Sequence, residues 1–282
     1  MSIQVSICKK LNRLFPLPVH PFNLQNEGVK TYAQWQFEKG SDTIKFFLEK
    51  YSTESMFKGK TVLDIGCGAA GKTLYYAASG AGFVYGMDIV PEYKEEAWKL
   101  AREKGLEEKF EFILGDAAAL PFDEDCIDTI IMNDAMEHVA NPEKVLEECY
   151  RVLKPGGRIF INFPPYHHPF GAHLSDTIGI PWVHLFFSEK TLIQVYKDLV
   201  SNLPDGQKRI NFRISKDQQE KEFFSYINKM TIKRFERILK QSPFKVEYRR
   251  NVPLRSFLKP ISALPAFKEA FTKMVVAVLV KA

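Results

Sequence analysis

Between residues 61 and 163, short apolar runs alternate with longer stretches of mixed polar and apolar residues. The apolar runs predict five buried strands, which begin at Thr61, Phe83, Phe110, Ile127 and Arg158. The stretches between them predict helices near residues 72–79, 92–104 and 142–153. Strands that alternate with helices usually form a parallel sheet covered on both faces. We therefore expect a doubly wound α/β fold.

The pattern is less regular on either side of this core. Residues 30–51 predict a helix with an aromatic face, and residues 188–200 and 220–240 predict two further helices. Two apolar runs, at 244–248 and 274–280, predict the last strands. The chain thus divides into an N-terminal arm and lid helix at 1–58, the core at 59–163, a crossover helix with an inserted helical lid at 164–240, and two closing strands at 241–282.

The first strand runs into a glycine-rich loop at residues 64–71, and a predicted helix follows. Glycines let the backbone approach a ligand, and the start of the helix offers N–H groups to it. Gly66, Gly68 and Gly71 match G-x-G-x-x-G, so a nicotinamide or flavin enzyme is one alternative. A carboxylate at Asp64 repels a pyrophosphate and suits a cationic ligand, unless it only ties the loop together.

The next three strands each end in an acid, namely Asp88, Asp116 and Asp134. Ligands of parallel sheets bind beyond the carboxyl ends of the strands. An acid at the position of Asp88 is able to accept both ribose hydroxyls of an adenosine. The sequence therefore predicts that Asp64, Asp88 and Asp116 surround one positively charged nucleoside.

Five motifs in a fixed order carry a family resemblance: VLDIGCG, GMDI, LGDAAALPF, MNDAMEHV and VLKPGG. Together they resemble the class I S-adenosylmethionine-dependent methyltransferases, above all the group that includes the ubiquinone and menaquinone biosynthesis enzymes. The resemblance implies a seven-stranded, Rossmann-like sheet whose last strand is antiparallel. One position departs from the family pattern, because Ala70 stands where a third glycine is common and Gly71 follows it.

The resemblance implies S-adenosylmethionine as cofactor and two groups of binding residues. The first group lies on strand ends and loops of the core and comprises Asp64, Gly66, Cys67, Gly68, Asp88, Ile89, Asp116, Ala117 and Asn133. Within it, Asp88 is expected to hold the ribose, Asp116 to accept from the adenine amino group, and Asp64 to lie below the methionine part. The second group, Tyr32 and Trp35 on the predicted lid helix, either contacts the sulfonium or the substrate through cation–π attraction or packs in the core.

A metal-binding pattern follows the fourth strand. Asp134, Glu137 and His138 form an acid-x-x-Glu-His set, and His184 is the downstream candidate ligand. The set is similar to one that binds a divalent metal in ubiquinone-type O-methyltransferases and small-RNA 2′-O-methyltransferases. Carboxylate and imidazole together suit Mg²⁺, Mn²⁺, Fe²⁺ or Zn²⁺. The alternative is structural, with Glu137 as a cap and His138 packed.

Histidines cluster on the loop that should border the acceptor site. His168, His173 and His184 are candidate general bases, since imidazole titrates near neutral pH. Methyl transfer from a sulfonium is an in-line displacement that depends mostly on alignment. A base is needed only when the acceptor must lose a proton.

Composition and the predicted lid indicate the class of acceptor that we expect. The net charge of +5 and a hydrophobic content of 45% are ordinary for a globular enzyme. The aromatic segment 222–227 of the predicted lid favours a small apolar or aromatic acceptor, whose methylated atom stays open. Alternatives are a catalytically silent cofactor-binding protein and an RNA or tRNA methyltransferase. We expect no nucleic-acid partner, since basic side chains form no concentrated stripe; the candidates for a patch are Lys208, Arg209, Arg213, Lys233, Arg234 and Arg237.

The remaining features concern location. Four cysteines without a C-x-x-C pair predict reduced thiols and a cytoplasmic protein. We expect no signal peptide and no transmembrane segment, because no apolar run is long enough. The arm at residues 1–22 is mixed apolar and basic, with a short helix expected from Ile7 to Phe15. It either packs against the domain or contacts a membrane surface.

Overall fold

A computed structural model describes residues 2–18, 20, 23, 30–225 and 227–282 of the protein, so Tyr226 of the predicted lid segment lies outside the described residues. Its main sheet has seven strands: β1 (Thr61–Ile65), β2 (Phe83–Asp88), β3 (Phe110–Leu114), β4 (Ile127–Asn133), β5 (Leu153–Phe163), β8 (Lys245–Pro253) and β9 (Thr272–Val280). Their order is β3-β2-β1-β4-β5-β9-β8. Only β9 runs antiparallel to its neighbours, β5 and β8. The predicted fold class is confirmed.

Helices cover both faces of the sheet and the edge where β1–β5 end. Those before β5 are α1 (Ile3–Asn12), α2 (Tyr32–Glu38), α3 (Gly40–Ile44), α4 (Thr53–Phe57), α5 (Gly71–Ala78), α6 (Tyr93–Lys104) and α7 (Pro142–Val152). Those after it are α8 (Val183–Phe186), α9 (Glu189–Val200), α10 (Gly206–Arg213), α11 (Ile232–Gln241), α12 (Lys259–Ser262) and α13 (Lys268–Phe271). None of these described helices has the length and apolar character needed to cross a membrane.

The central strands are buried on both faces, which explains their uninterrupted apolar runs. Successive residues of β1 point to opposite sides, so Leu63 and Ile65 pack in a core with α7 and α11. Val62 packs in a second core with α5 and α6. Because both cores lie directly on the sheet, the loops at its carboxyl edge are anchored on rigid strands.

The predicted helix at 220–240 is wrong in its first half. Residues 222–224 form β7, which pairs antiparallel with β6 (Ile214–Lys216). Glu220 turns the chain in the left-handed region, at φ 59°. Phe224 is buried whereas Phe223 is 39% exposed, which is the alternation of a strand. The helix begins only at Ile232, after the capping side chain of Thr231.

The predicted helix at 30–51 is in fact two short helices, α2 and α3, separated at Lys39. The second begins at Gly40, which packs so closely on α5 that a Cβ there would lie 2.2 Å from the Tyr75 ring. Glycine is therefore required at this contact, and the chain continues beyond Ile44 in turns rather than as helix.

Candidate active site

A cavity of about 380 Å³ opens at the carboxyl edge of the sheet. It lies where the strand order reverses between β1 and β4, the usual binding position in doubly wound sheets. The predicted cofactor residues in its lining are Tyr32, Gly66, Gly68, Asp88, Ile89, Asp116 and Ala117. Among the described residues, the predicted set that lies outside the lining is Asp64, Cys67, Asn133 and Trp35.

The glycine loop is held in place by Asp88 at the end of β2. The Asp88 carboxylate accepts hydrogen bonds from the N–H groups of Gly68 (2.8 Å) and Val90 (3.0 Å). Burial raises the pKa of Asp88, although these backbone donors oppose the rise. Gly66 has φ 72°, and a Cβ there would come within 2.7 Å of the Ala135 side chain. The loop therefore needs glycine at Gly66 for both its conformation and its packing.

Asp64 does not line this cavity, although the sequence predicts that it surrounds one ligand together with Asp88 and Asp116. Its side chain lies under the loop, 2% exposed, and accepts a hydrogen bond of 2.6 Å from the Thr73 hydroxyl. Burial raises the pKa of Asp64 to about 6. Thus Asp88 and Asp116 line one cavity, but Asp64 ties β1 to α5 beneath it. The alternative of a loop-stabilising acid describes this geometry better than a direct ligand contact.

The helix α2 rests on the glycine loop through a side chain that sequence analysis missed. The Gln36 amide donates to the Cys67 carbonyl (3.2 Å) and accepts from the Gly71 N–H (3.3 Å). Tyr32 on the same helix lies against Gly68, since a Cβ added to Gly68 would be 3.0 Å from the Tyr32 ring. Trp35 stacks behind Tyr32, with ring centroids 6.3 Å apart, and lies outside the cavity lining. A glutamine in a short helix carries no signal that would have identified it in advance.

Two predicted contact residues support the pocket from behind. The Asn133 amide donates to the Asp134 carboxylate (2.9 Å) and its carbonyl accepts from Asn162 (2.8 Å). Asn133 thereby fixes Asp134, which does line the cavity and has φ 50°. Cys67 is fully buried, and burial raises the pKa of its thiol well above the usual value. Its carbonyl accepts from Gln36 and its Sγ donates to the Gly68 carbonyl (3.3 Å), so both its backbone and its sulfur shape the loop.

Beyond Asp134, an acid and two histidines form a tight cluster. The Nε2 atoms of His138 and His173 both lie 3.8 Å from Glu137 Oε1. Glu137 is 2% exposed, and neither carboxylate oxygen has a hydrogen-bond partner among the described residues. Burial, followed by the charge of Asp134, raises the pKa of Glu137 well above its usual value. Burial lowers the pKa of His173 well below its usual value, so burial favours the neutral form of both groups.

The prediction that His184 completes this set is wrong. Its Nε2 lies 2.7 Å from the Tyr166 carbonyl oxygen, beside a separate small cavity. His168 is also held elsewhere, since its Nδ1 accepts from the Phe170 N–H at 3.1 Å. Burial lowers the pKa of both imidazoles to about 4. Among the described residues, His173 instead joins Glu137 and His138, with potential ligand atoms within 4.8 Å of one another.

Comparison with known proteins agrees with this geometry. A family model described as "Methyltransferase domain" matches residues 63–161. Norajmaline N-methyltransferase of Rauvolfia serpentina is 38% identical over 104 residues, which are 37% of this chain and 36% of that protein. The ubiquinone/menaquinone biosynthesis C-methyltransferase UbiE of Ruegeria sp. (strain TM1040) is 32% identical over 152 residues, 51% of this chain and 61% of that protein. The chain thus spans less than two thirds of the length of each relative.

The chain carries a class I S-adenosylmethionine-dependent methyltransferase domain. A solved structure of geranyl diphosphate methyltransferase in complex with S-adenosylmethionine shares the fold, with a TM-score of 0.54 and 14% identity over 86% of this chain and 85% of that chain. At this identity the likeness concerns the fold alone. The cofactor of the domain is S-adenosylmethionine, and no comparison identifies the acceptor.

Residues 164–225, which lie between β5 and α11, supply part of the cavity wall, and we call them the insertion. His173, Phe212 and Arg213 of this insertion line the cavity, and sequence analysis did not single out Phe212. Arg209 and Arg213 both form ion pairs of 3.3 Å with the carboxylate of Asp176. The side chains of these arginines are only 2% and 10% exposed. They hold the insertion together, so they do not contribute to a surface patch for RNA.

Proposed function

We propose that the protein transfers the methyl group of S-adenosylmethionine to a small apolar or aromatic acceptor. The observation that carries this proposal is that Asp88 and Asp116 face one cavity from the ends of adjacent strands, with Tyr32 against the glycine loop. S-adenosylmethionine brings an activated methyl group, so the main task of the protein is to align donor and acceptor.

The residues of the cavity suit the parts of this cofactor. Asp88 uses its oxygens for two backbone N–H groups, and a carboxylate has further lone pairs for ribose hydroxyls. Ile89 is 48% exposed at the cavity, and an adenine ring packed against it would remove this apolar surface from water. Asp116 and Ala117 line the same cavity, and we assign them to the adenine edge, where Asp116 would accept from the amino group. The face of Tyr32 suits the sulfonium through cation–π attraction.

We assign the acceptor to the part of the cavity beside Asp134, His138 and His173. For a protic acceptor, the new bond from its heteroatom to the methyl carbon would replace the bond from that carbon to the sulfonium sulfur, which leaves as the neutral thioether of S-adenosylhomocysteine, and the proton of the acceptor would pass to an imidazole nitrogen of this cluster. Glu137 lies next to both imidazoles, where its carboxylate form would stabilise an imidazolium. Of the three histidines that the sequence predicts as candidate bases, we therefore assign this role to His173. We also assign the substrate-lid role to the insertion within 164–240.

Calorimetry with S-adenosylmethionine and S-adenosylhomocysteine tests the cofactor site. Asp88→Asn keeps the shape of the side chain but loses its charge, and we expect binding about 10- to 100-fold weaker, since charge-assisted hydrogen bonds contribute roughly 1.5–3 kcal/mol. Asp123→Asn, an exposed acid in the loop before β4, is the matched control and should leave affinity unchanged. If the wild type binds neither compound, the proposal fails.

A screen of phenols, quinones, amines and thiols for S-adenosylhomocysteine release tests turnover. A protein that binds the cofactor but releases no product with any class would be a silent binder. With an acceptor in hand, Glu137→Gln should lower kcat by about 10²-fold or more while cofactor affinity stays within about twofold. Glu38→Gln, an exposed acid on α2, is its control.

The same cluster supports a divalent metal as the alternative role. An unpartnered buried carboxylate with two imidazoles is a donor set that suits Zn²⁺ or Fe²⁺. Metal analysis of untagged protein, before and after chelation, distinguishes metal binding from proton transfer. The cluster is a metal site if the wild type holds stoichiometric metal, if chelation removes the metal and the activity together, and if His173→Gln holds none. Full activity without metal supports proton transfer.

We infer a reducing compartment, in agreement with a cytoplasmic location. All four cysteines are free, and Cys8, Cys67 and Cys149 are buried in the cores rather than placed to form bridges. Mass spectrometry after thiol blocking should find Cys126 blocked and three unmodified thiols in the native protein, and four blocked thiols after denaturation.

A further inference from the structure

The helix α1 exposes an apolar stripe. Ile3, Ile7 and Leu11 follow each other at four-residue spacing and are 79%, 46% and 38% exposed. Residues at this spacing lie on one face of a helix. The opposite face is also apolar, since Val5 and Cys8 are buried against the insertion. A single exposed apolar residue is ordinary, but a helix that is apolar on its outer face needs a reason.

A second exposed apolar segment connects β8 to β9. Within residues 254–271 the exposed side chains are Phe257 (77%), Ile261 (39%), Leu264 (51%) and Phe267 (48%). A third element lies between the two, because α8 exposes Leu185 (48%) and Phe186 (75%). We call these residues of α1, α8 and 254–271 together the apolar face.

The three elements are joined by direct contacts. The Asn12 side chain at the end of α1 donates to the Thr177 carbonyl (2.8 Å) and accepts from the Gly179 N–H (2.8 Å). Trp182, which begins α8, lies 5.9 Å from the Phe271 ring at the end of the 254–271 segment. The apolar face is therefore built on one packed unit and not on separate loops.

The segments that form the apolar face also carry positive charge, of which Lys9 pairs with Asp198 and Lys268 with Glu236. Residues 2–18 contain Lys9, Lys10 and Arg13 and no acidic residue. Residues 254–271 contain Arg255, Lys259 and Lys268, and the single acid, Glu269, bonds to the first N–H groups of α11. Exposed apolar side chains among lysines and arginines complement the surface of an anionic lipid bilayer, where rings and aliphatic chains enter the headgroup region and cations meet phosphate.

We propose that the apolar face docks the protein on the surface of an anionic lipid bilayer. The occupant is a bilayer because both components of the face, apolar and cationic, are matched by it at once. The 254–271 segment starts where β8 ends, and β8 is parallel to β5, so the face lies at the sheet edge where the cavity opens. That an apolar acceptor arrives from the bilayer rests on the proposed function, whereas docking itself does not.

Sedimentation with phospholipid vesicles tests the proposal on the full chain. We expect wild-type protein to pellet with phosphatidylcholine vesicles that contain about 30% phosphatidylglycerol, to stay in solution with pure phosphatidylcholine, and to dissociate as salt rises. Ile7→Glu/Leu11→Glu and Phe257→Glu/Leu264→Glu should each weaken binding by about tenfold or more. Val246→Glu changes a residue that is 42% exposed at the opposite end of β8 and should bind like the wild type.

The outcomes that overturn the proposal are equally specific. Wild-type protein that stays in solution with anionic vesicles, or a Val246→Glu variant that loses as much binding as the double variants, shows that the face does not dock. Light scattering without vesicles adds a further outcome: a molar mass that falls in the double variants makes the face a contact between two copies. Calorimetry with S-adenosylmethionine on the same samples shows that the variants are folded and keeps a failed cofactor site distinct from failed docking.

Discussion

Replacing Gly71 with alanine should detach α2 from the glycine loop while the sheet stays folded. Gly71 is the first residue of α5, and α2 crosses directly over it. A Cβ at this position would lie 2.0 Å from the Ala33 carbonyl oxygen and 2.7 Å from the Phe37 nitrogen. Both are backbone atoms, so no side-chain rotation relieves the clash, and α2 itself must move by roughly 1.4 Å to restore ordinary contact.

Two opposing free-energy contributions decide whether Gly71→Ala is more or less stable than the wild type. Alanine favours a helix by up to about 1 kcal/mol over glycine, so without α2 the variant would be slightly more stable. Overpacking costs about 1–3 kcal/mol, and moving α2 also breaks the two hydrogen bonds of Gln36, at about 1 kcal/mol each. We therefore expect the free energy of unfolding to fall by about 1–3 kcal/mol, measured in urea.

The affinity for the cofactor distinguishes detachment of α2 from a general loss of stability. If Tyr32 covers the sulfonium, its displacement removes about 0.5–2 kcal/mol of cation–π attraction, which is about 2- to 30-fold in the Kd of S-adenosylmethionine. S-adenosylhomocysteine has a neutral sulfur and should lose less affinity. Calorimetry of Gly71→Ala with both compounds gives the ratio of the two losses in affinity.

Two further variants control this experiment. Gln36→Ala removes the same hydrogen bonds without a clash and should act in the same direction with a smaller effect. Gln207→Ala removes an exposed helical glutamine that bonds only to Asn211 among the described partners, and should change neither stability nor affinity. A Gly71→Ala protein that is more stable than the wild type, with unchanged affinity for S-adenosylmethionine, would falsify the described contact between α2 and α5.

Three other substitutions test the packing of the site. The pKa of Asp64 rises from 3.8 to about 6 on folding, so its ionisation destabilises the fold between about pH 4 and pH 6; Asp64→Asn should gain up to about 3 kcal/mol relative to wild type across that window in urea titrations. Arg209→Met leaves Asp176 with fewer partners and should cost about 3 kcal/mol, whereas Lys144→Met, at an exposed pair, should cost less than about 1 kcal/mol. In thermal unfolding, Phe235→Ala should cost about 3–5 kcal/mol and Phe257→Ala under about 0.5 kcal/mol, because the first ring is fully buried and the second is 77% exposed.

The sequence predicts the sheet well because its strands are buried on both faces. β2 and β4 appear as apolar runs that end at Asp88 and Asn133, and β1 appears as one that ends just after Asp64; the order of these strand ends follows from parallel topology. The cavity position follows for the same reason, since every loop that leaves a parallel strand emerges at one edge. Asp64 lies outside the cavity lining because it stands within β1, at a position that faces α5, whereas Asp88 and Asp116 stand at or beyond the ends of their strands.

The insertion was predicted less well because its contacts are distant in sequence. β6 and β7 are only three residues each, so a run that looks amphipathic has no local signal to distinguish a hairpin from a helix. His173 reaches Glu137 because its backbone adopts φ 54°, and nothing in the residues around it requires that conformation. His184 carries the same side chain at a plausible distance along the chain, yet a bond to the Tyr166 carbonyl holds it away.

The cavity half that we assign to the cofactor and the half that we assign to the acceptor depend on different parts of the molecule, so variants should affect them separately. The cofactor half is fixed by strand ends and by α2, through Asp88 and Gln36. The half proposed for the acceptor includes His173 and Arg213 of the insertion, which the ion pairs of Asp176 with Arg209 and Arg213 hold together. We expect changes in that ion cluster to shift His173 and Arg213 while the glycine loop stays in place. Arg209→Met should therefore raise the KM for the acceptor while the Kd of S-adenosylmethionine stays close to that of the wild type.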